Sequence, residues 1–447
     1  MINCHKQYGN VGLVGMLGLL NFDKQYVRAQ GTRVWDHTGK EYLDFLGGYG
    51  SLNLGHNPPA VIAGMQKATS MPNLLQASLG TMAGALMQTL AAITPGDLQR
   101  SFLCNSGAEA VEGGLKLARA ATGKHKFIYC DGGFHGKTMG ALSVTGREKY
   151  KGPFEPLIPG CVGIPYGDLA ALEEALASGD VAAFIVEPIQ GEGGIIVPPA
   201  GYLKKAKELC ARHGALIIVD EIQTGFGRTG RMFACEHDEM TPDILILSKS
   251  LGGGMMPLGA FVTTDAIWTQ AYGSSKNCLL HTSTFGGNTM AAAAGLAAIE
   301  YILSEDLPGR AAELGEYFQS RLRELQEKHN LIEEVRGKGL LIGIEFATLN
   351  QGALNKLTRG AISELSQEYL ASLVAGELQN NYGIITAYTL NNPNVIRLEP
   401  PLIVEKEEID QVVTALDEIL SRNTNLLSMT LTTAKNFIGG LLERRRR

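Results

Sequence analysis

Residues 215–230 read A-L-I-I-V-D-E-I-Q-T-G-F-G-R-T-G, and residues 242–254 read P-D-I-L-I-L-S-K-S-L-G-G-G. Each begins with a short β-branched apolar run that ends abruptly in charge: Ala215–Val219 runs into Asp220, and Ile244–Leu247 runs into Lys249. Four or five apolar residues bounded by polar and glycine positions predict strands buried on both faces of a parallel sheet. In an open α/β sheet the ligand crevice lies outside the carboxyl ends of the strands. An aspartate at one such end and a lysine at another therefore face one ligand.

The rest of the chain fits around that pair. From about 66 to 312, helical patterns alternate with short apolar strands, the signature of a doubly wound sheet. Strands are expected at Ser101–Leu103, Phe127–Tyr129 and Ala182–Val186, and helices at Ala108–Ala120, Tyr202–His213 and Gly286–Ile302. Gly214 is placed to terminate the second of these helices. Residues 1–65 read as an N-terminal segment with a hairpin, Thr32–Asp36 against Glu41–Phe45, and a helix after G-H-N-P-P that Asn57 is placed to cap. From about 313 to 422 a charged helix (Ala311–His329), the runs Leu340–Phe346 and Val395–Leu398, and the helix Glu405–Leu420 predict a smaller α+β domain. Residues 423–447, ending in four arginines, are left as a tail of unknown role.

Composition narrows the class. A chain of 447 residues with 45% hydrophobic and 19% charged residues has ample length for a core and two or three domains. The net charge of −6 offers no basic footprint for nucleic acid. Seven scattered cysteines show no zinc-ligand spacing, which suits reduced thiols in a cytoplasmic protein. No apolar run approaches the roughly 18 residues that a membrane span needs. Val11–Leu20, behind His5 and Lys6, has the look of a signal-peptide core, but no small-residue cleavage site follows it.

Several short motifs carry chemistry, and each has a bland alternative. Asn105-Ser106-Gly107-Ala108-Glu109 joins a strand to a helix, which suits a phosphate cradle as well as a simple capping box. Phe134 and His135 follow another strand, and an aromatic there can stack on a flat ring or merely pack. Asp220 and Glu221 share a strand end, so one faces the ligand and the other is tied up in the scaffold. Ile222 and Gln223 follow them, one placed to pack on a ring and the other to hydrogen-bond its oxygen. Gly252–Gly254 leave room beside Lys249. Thr282–Asn288 supplies a hydroxyl and a glycine turn, and Arg397 closes a strand where it can clamp a carboxylate. A lysine with a strand-end aspartate suits pyridoxal 5'-phosphate, the lysine bonding the aldehyde and the carboxylate keeping the pyridine nitrogen protonated.

In this order, N-S-G-A-E-A, F-H-G-K-T, E-P-I-Q-G-E-G-G, D-E-I-Q-T-G-F-G-R-T-G, S-K-S-L-G-G-G, T-F-G-G-N and R-L-E-P-P-L resemble the class III aminotransferases of pyridoxal-phosphate fold type I, from about Tyr42 to Leu420. The resemblance is strongest to the putrescine aminotransferases, with the ornithine and acetylornithine enzymes close behind. It implies that Lys249 carries the cofactor as a Schiff base and then shuttles the proton. Asp220 would pair with the ring nitrogen and Gln223 with the ring oxygen. Phe134 and Ile222 would cover the two ring faces, with His135 also in the cofactor site. Ser106, Gly107 and Ala108 would hold the phosphate, completed by Thr284 of a second subunit, so that a homodimer is expected.

Arg397 would bind the carboxylate of 2-oxoglutarate, Glu192 would pair with it while an amine occupies the site, and Tyr49 would border the substrate channel. The expected reaction moves the terminal amino group of a diamine or ω-amino acid, putrescine first, to 2-oxoglutarate. Alternatives are an ornithine or N-acetylornithine aminotransferase, an aminotransferase domain of a natural-product assembly line, and other chemistry on the same cofactor. A cofactor-free binding protein on this scaffold is the non-enzyme alternative.

Overall fold

The computed structural model describes every residue except 20–21, 76–77, 348–369 and 423–447. The tail singled out above therefore lies outside the described residues. The fold is α/β, built on a seven-stranded sheet with two four-stranded sheets beside it. The large sheet runs, in spatial order, Leu98–Cys104, Gly259–Thr264, Ile244–Leu247, Leu216–Asp220, Val181–Val186, Lys126–Cys130 and Cys161–Ile164. Only Gly259–Thr264 runs antiparallel to its neighbours, lying between Leu98–Cys104 and Ile244–Leu247. The pairs farther along the sheet are parallel.

The apolar runs are strands because helices cover both faces of the sheet. Val181–Val186 and Ile244–Leu247 are buried at every position. The helix Gly107–Thr122 lays Val111, Leu115, Leu117 and Ala118 against one face, with Gly123 in the left-handed conformation closing it. On the other face, Thr289–Ser304 packs so closely on Pro59–Ala68 that a Cβ at Gly64 would come within 2.6 Å of Ala297 Cβ. The small-residue composition of that helix is what permits the approach.

Register places the site. Val186 pairs with Val219, which sets Glu187 beside Asp220, and Asp220 pairs with Ile246, which sets Lys249 just beyond the next strand. The carboxyl ends of these neighbouring strands thus carry two acids and one amine within one crevice.

The smaller sheets bring residues from far along the chain to that crevice. The hairpin Arg33–Asp36 with Glu41–Asp44 forms as expected and is extended by Ile384–Ile385, which pairs parallel with Leu43 and Asp44. Ile332–Lys338, Leu341–Phe346, Val395–Leu398 and Ala387–Tyr388 form the third sheet, with Arg397 opposite Gly343.

Some local expectations are corrected. Asn57 does not cap the helix Pro59–Ala68; it sits at φ 49° and its amide donates to the Ala29 carbonyl at 2.8 Å. The helix expected from Gly286 starts at Thr289, because Asn288 Oδ1 accepts from the Ala291 N–H at 3.0 Å. The charged helix starts at Leu307 rather than Ala311, with Asp306 accepting from the Gly309 N–H and a proline in the first turn. The Val11–Leu20 stretch contains a short helix, Val11–Leu19. Among the described residues, no helix is long and apolar enough to cross a membrane.

Candidate active site

Lys249 stands one residue beyond the strand Ile244–Leu247, at the start of the short 3-10 helix Lys249–Gly252, with a left-handed φ of 47°. A side chain other than glycine pays about 1–3 kcal/mol to stay there, a cost that clusters at functional sites. Ser248, just before it, is fixed by donation from its hydroxyl to the Leu258 carbonyl at 2.8 Å. Burial disfavours the Lys249 ammonium and lowers its pKa, against the pull of Glu399, Glu192 and Asp220. A lysine held this way reaches its neutral, nucleophilic form more readily than a surface lysine.

Of the three glycines expected to leave room beside it, Gly252 has only ordinary contacts around a Cβ, whereas Gly253 and Gly254 are tightly packed. Gly253 and Gly254 have positive φ, and Cβ atoms there would strike Val61 and Leu52. Those glycines are needed for a left-handed turn under tight packing.

Asp220 is almost fully buried, and both its oxygens are committed. Oδ2 accepts from Nδ1 of His135 at 2.7 Å, and Oδ1 accepts from the Ile222 N–H at 3.0 Å. Burial alone would lower the His135 pKa, but the hydrogen bond and charge of Asp220 outweigh it and the pKa rises. His135 therefore acts on Asp220, holding it as a fixed carboxylate. Glu221 is the other member of the acid pair, and it belongs to the scaffold: it accepts from the Thr224 hydroxyl and the Cys235 N–H.

Glu187 was not among the candidate residues, yet it lies in the same buried cluster. It accepts from the Phe134 N–H at 2.8 Å and the Gly191 N–H at 3.1 Å. Burial pushes its pKa up to about 7, with His135 working against that rise and Asp220 adding to it. The signal was the same as for Asp220, an acid directly after a fully apolar strand.

The 105–109 segment does form a cap: Ser106 Oγ accepts from the Glu109 N–H at 3.2 Å, and Glu109 accepts in turn from the Asn105 N–H at 2.7 Å. The Ser106 carbonyl accepts from the Ala110 N–H, but the N–H groups of Gly107 and Ala108 have no acceptor among the described residues. They are unsatisfied donors at the positive end of a 16-residue helix. A Cβ at Gly107 would sit 2.7 Å from Ile222 Cδ1, so the cradle and the Asp220 loop are packed together. Thr284 is exposed in the single chain, next to Ser283, whose hydroxyl accepts from the Asn105 amide at 3.1 Å.

Arg397 is fully buried. Its Nη2 pairs with Glu192 Oε2, and its Nη1 lies 3.3 Å from Glu399 Oε2. Burial lowers its pKa, but Glu192 and Glu399 more than compensate and the net direction is up. The Tyr49 ring, on a backbone at φ 58°, lies with its centroid 5.1 Å from Arg397 Cζ. Glu399 was absent from the sequence-derived set. Two residues after Arg397 and just past the strand Val395–Leu398, it had the spacing that puts both side chains on one face of extended chain. Gln223 donates from Nε2 to Glu399 Oε1 at 2.6 Å, so its amide reaches toward the arginine side of the crevice.

Pyridoxal phosphate fits these residues on structural grounds: two unsatisfied helix N–H donors for a dianion, a carboxylate fixed by two hydrogen bonds, and a lysine with a depressed pKa.

Comparison with known proteins is consistent with this chemistry. The family model described as aminotransferase class-III matches residues 19–420. Aminotransferase PigE of Serratia sp. is 38% identical over 455 residues, covering 95% of this chain and 53% of that protein. The chain thus spans about half the length of that curated relative. Among solved structures, the ornithine aminotransferase from Toxoplasma gondii superposes with TM-score 0.81 at 36% identity, covering 97% of this chain and 95% of that one. An amine transaminase from an uncultivated Pseudomonas species, in its pyridoxal-phosphate-bound form, gives TM-score 0.80 at 30% identity, with coverages of 89% and 95%.

Proposed function

The chain belongs to the class III aminotransferases, a pyridoxal-phosphate-dependent family of fold type I, and from that premise we propose that it moves the terminal amino group of a diamine, putrescine first, to 2-oxoglutarate. The observation that carries the choice of donor is the closed pair between Glu192 and Arg397. With its arginine covered, the site offers no open cation to an amino-acid carboxylate, which suits a donor that has none. The products are an aldehyde and glutamate.

Bound pyridoxal phosphate supplies an aldehyde that condenses with amines and a ring that draws electrons from the adjoining carbon. In this reading Ser106 and the N–H groups of Gly107 and Ala108 hold the phosphate, joined by Thr284 of a second copy of the chain. Phe134 and Ile222 pack on the ring faces. Asp220, fixed by His135, keeps the ring nitrogen protonated, and Gln223 lies beside the ring oxygen. Lys249 would hold the cofactor through its aldehyde carbon; once displaced, its neutral Nζ would take the proton from the amine-bearing carbon and give it up again within the same half-reaction, the order reversing when the keto acid is aminated. Arg397 takes a carboxylate of 2-oxoglutarate after Glu192 turns away, and Tyr49 lines the approach.

A second reading has a specific support. The curated relative PigE is about twice as long as this chain, and a substrate carried on a separate domain is the alternative to a free diamine. The likeness to an ornithine aminotransferase keeps ornithine and N-acetylornithine among the donors to test.

The test follows the visible absorbance of the purified holoenzyme in half-reactions with putrescine, cadaverine, ornithine, N-acetylornithine, 4-aminobutyrate and glutamate. Rapid loss of the band with the diamines is the expected outcome. Response to ornithine or N-acetylornithine alone would replace the diamine reading, and silence with all donors except glutamate would favour the carried substrate.

A further inference from the structure

We propose that Glu399 is a specificity-determining residue that keeps the substrate site acidic, favouring cationic diamines and weakening the hold of Arg397 on carboxylates; this rests on the aminotransferase reading above. The arginine is held from two sides, and the two carboxylates differ in how easily they can leave. Glu192 holds Arg397 through Oε2, the same oxygen that accepts from the Leu390 N–H at 2.8 Å. Glu399 is 0% exposed; its Oε1 accepts from Gln223 at 2.6 Å, and its own N–H donates to the Phe45 carbonyl at 2.8 Å. Gly50 packs behind it, close enough that a Cβ there would lie 3.5 Å from Glu399 Oε1. In the proposed function Glu192 is the gate, whereas Glu399, with no exposure and its second oxygen held by Gln223, is part of the wall.

The charge count follows. With Glu192 in place, one guanidinium faces two carboxylates and the three groups carry one net negative charge. With Glu192 turned away, the remaining pair is neutral. A carboxylate arriving at Arg397 therefore meets a guanidinium already half-spent on a fixed acid. Its Nε is buried and makes no hydrogen bond among the described residues. A second ammonium on the donor meets the opposite situation, surplus negative charge in a site that excludes water, where like and unlike charges discriminate strongly. The Tyr49 ring over the guanidinium gives the intervening methylenes an apolar face.

The experiment measures binding rather than turnover. Glutarate, an unreactive dicarboxylate, is titrated calorimetrically into holoenzyme carrying Glu399→Gln or Glu399→Ala, and the KM for putrescine is measured on both. The glutamine keeps an acceptor for Gln223, and the alanine serves if the glutamine variant loses its fold. Removing the fixed charge should tighten glutarate on the order of tenfold and raise the putrescine KM. Glutarate affinity that is unchanged or weaker in both variants would overturn the proposal. Tighter glutarate supports the charge role whether or not diamines react, and failure of the wild type with every diamine would count against the donor reading alone.

Discussion

Nδ1 of His135 lies 2.7 Å from Oδ2 of Asp220, with both side chains almost entirely out of water. The pair joins the turn after Lys126–Cys130 to the end of Leu216–Asp220, two strands separated in the sheet by Val181–Val186. His135 is thus a positioning residue, acting through Asp220. His135→Asn keeps a donor near the place of Nδ1, whereas His135→Leu leaves Asp220 short of a partner. A misplacement near 1 Å can cost on the order of 10²-fold in rate. We expect kcat to fall toward that limit in the leucine variant and to be partly rescued in asparagine, with KM changing less. Equal loss in both, in step with a lowered Tm, would reduce the histidine to a packing role.

The backbone of Lys249 offers a separate test. Its φ of 47° is a conformation that glycine adopts without penalty. Lys249→Ala and Lys249→Gly should both lose turnover by about 10³-fold or more, since each removes the anchoring amine. In the cofactor-free proteins, however, the glycine variant should be more stable than the alanine variant by about 1 kcal/mol, the strain released. Urea unfolding of the two variants measures the difference. Equal stabilities would mean that the left-handed conformation is not strained.

The sequence made the sheet and much of the crevice legible because both rest on local signals. Apolar runs that end in Asp220 and Lys249 announce strand ends, and a buried parallel sheet leaves few ways to arrange them. What stayed hidden depended on pairing between distant segments. Glu187 enters the site because Val186 is in register with Val219, and Glu399 because Gln223, 176 residues earlier, reaches it. Each acid carried a local hint, its place after an apolar strand or its spacing from Arg397, but the pairing that brings it to the site has no sequence pattern. Asn57, Gly253 and Gly254 misled for the same reason: the residue types suited a cap and an open space, but Ala29, Val61 and Leu52, brought close by the fold, decided otherwise.

Glu187 should leave a mark on the pH dependence of stability. Its folded pKa is about 7, against an ordinary value of 4.5. Below pH 4.5 the carboxyl is protonated in both states and contributes no difference. Between 4.5 and 7 the unfolded chain releases the proton and the folded one keeps it, so stability falls as pH rises. The full shift corresponds to at most about 3 kcal/mol. His135 adds a loss of the same sign, since its raised pKa gives stability that disappears as pH climbs through the folded value. Glu187→Gln should flatten the profile between pH 4.5 and 7 in urea unfolding. Parallel profiles for variant and wild type would remove Glu187 as their source.

Arg228 is the other fully buried arginine near the site, and its work is mechanical. Nη1 donates to the Leu340 carbonyl at 3.0 Å and to the Pro400 carbonyl at 2.6 Å, and Nη2 donates to Asn53 Oδ1 at 2.6 Å. One guanidinium thereby ties the loop after Asp220 to the N-terminal segment and to the turns that flank the third sheet. Burial lowers its pKa to about 10, against the support of Glu399 and Asp44, so it remains charged at neutral pH. A lysine has the charge but not the planar fork, and its compact ammonium on a flexible stem cannot serve three acceptors at those positions. Each buried acceptor left unpaired costs about 1–3 kcal/mol, so Arg228→Lys should lose about 2–4 kcal/mol in urea unfolding. Because Pro400 adjoins Glu399, the same variant should loosen the wall behind Arg397 and raise KM for both substrates, with a smaller change in kcat. A lysine variant within about 0.5 kcal/mol of wild type, the range of an ordinary surface change, would mean that the three segments hold together without this clamp.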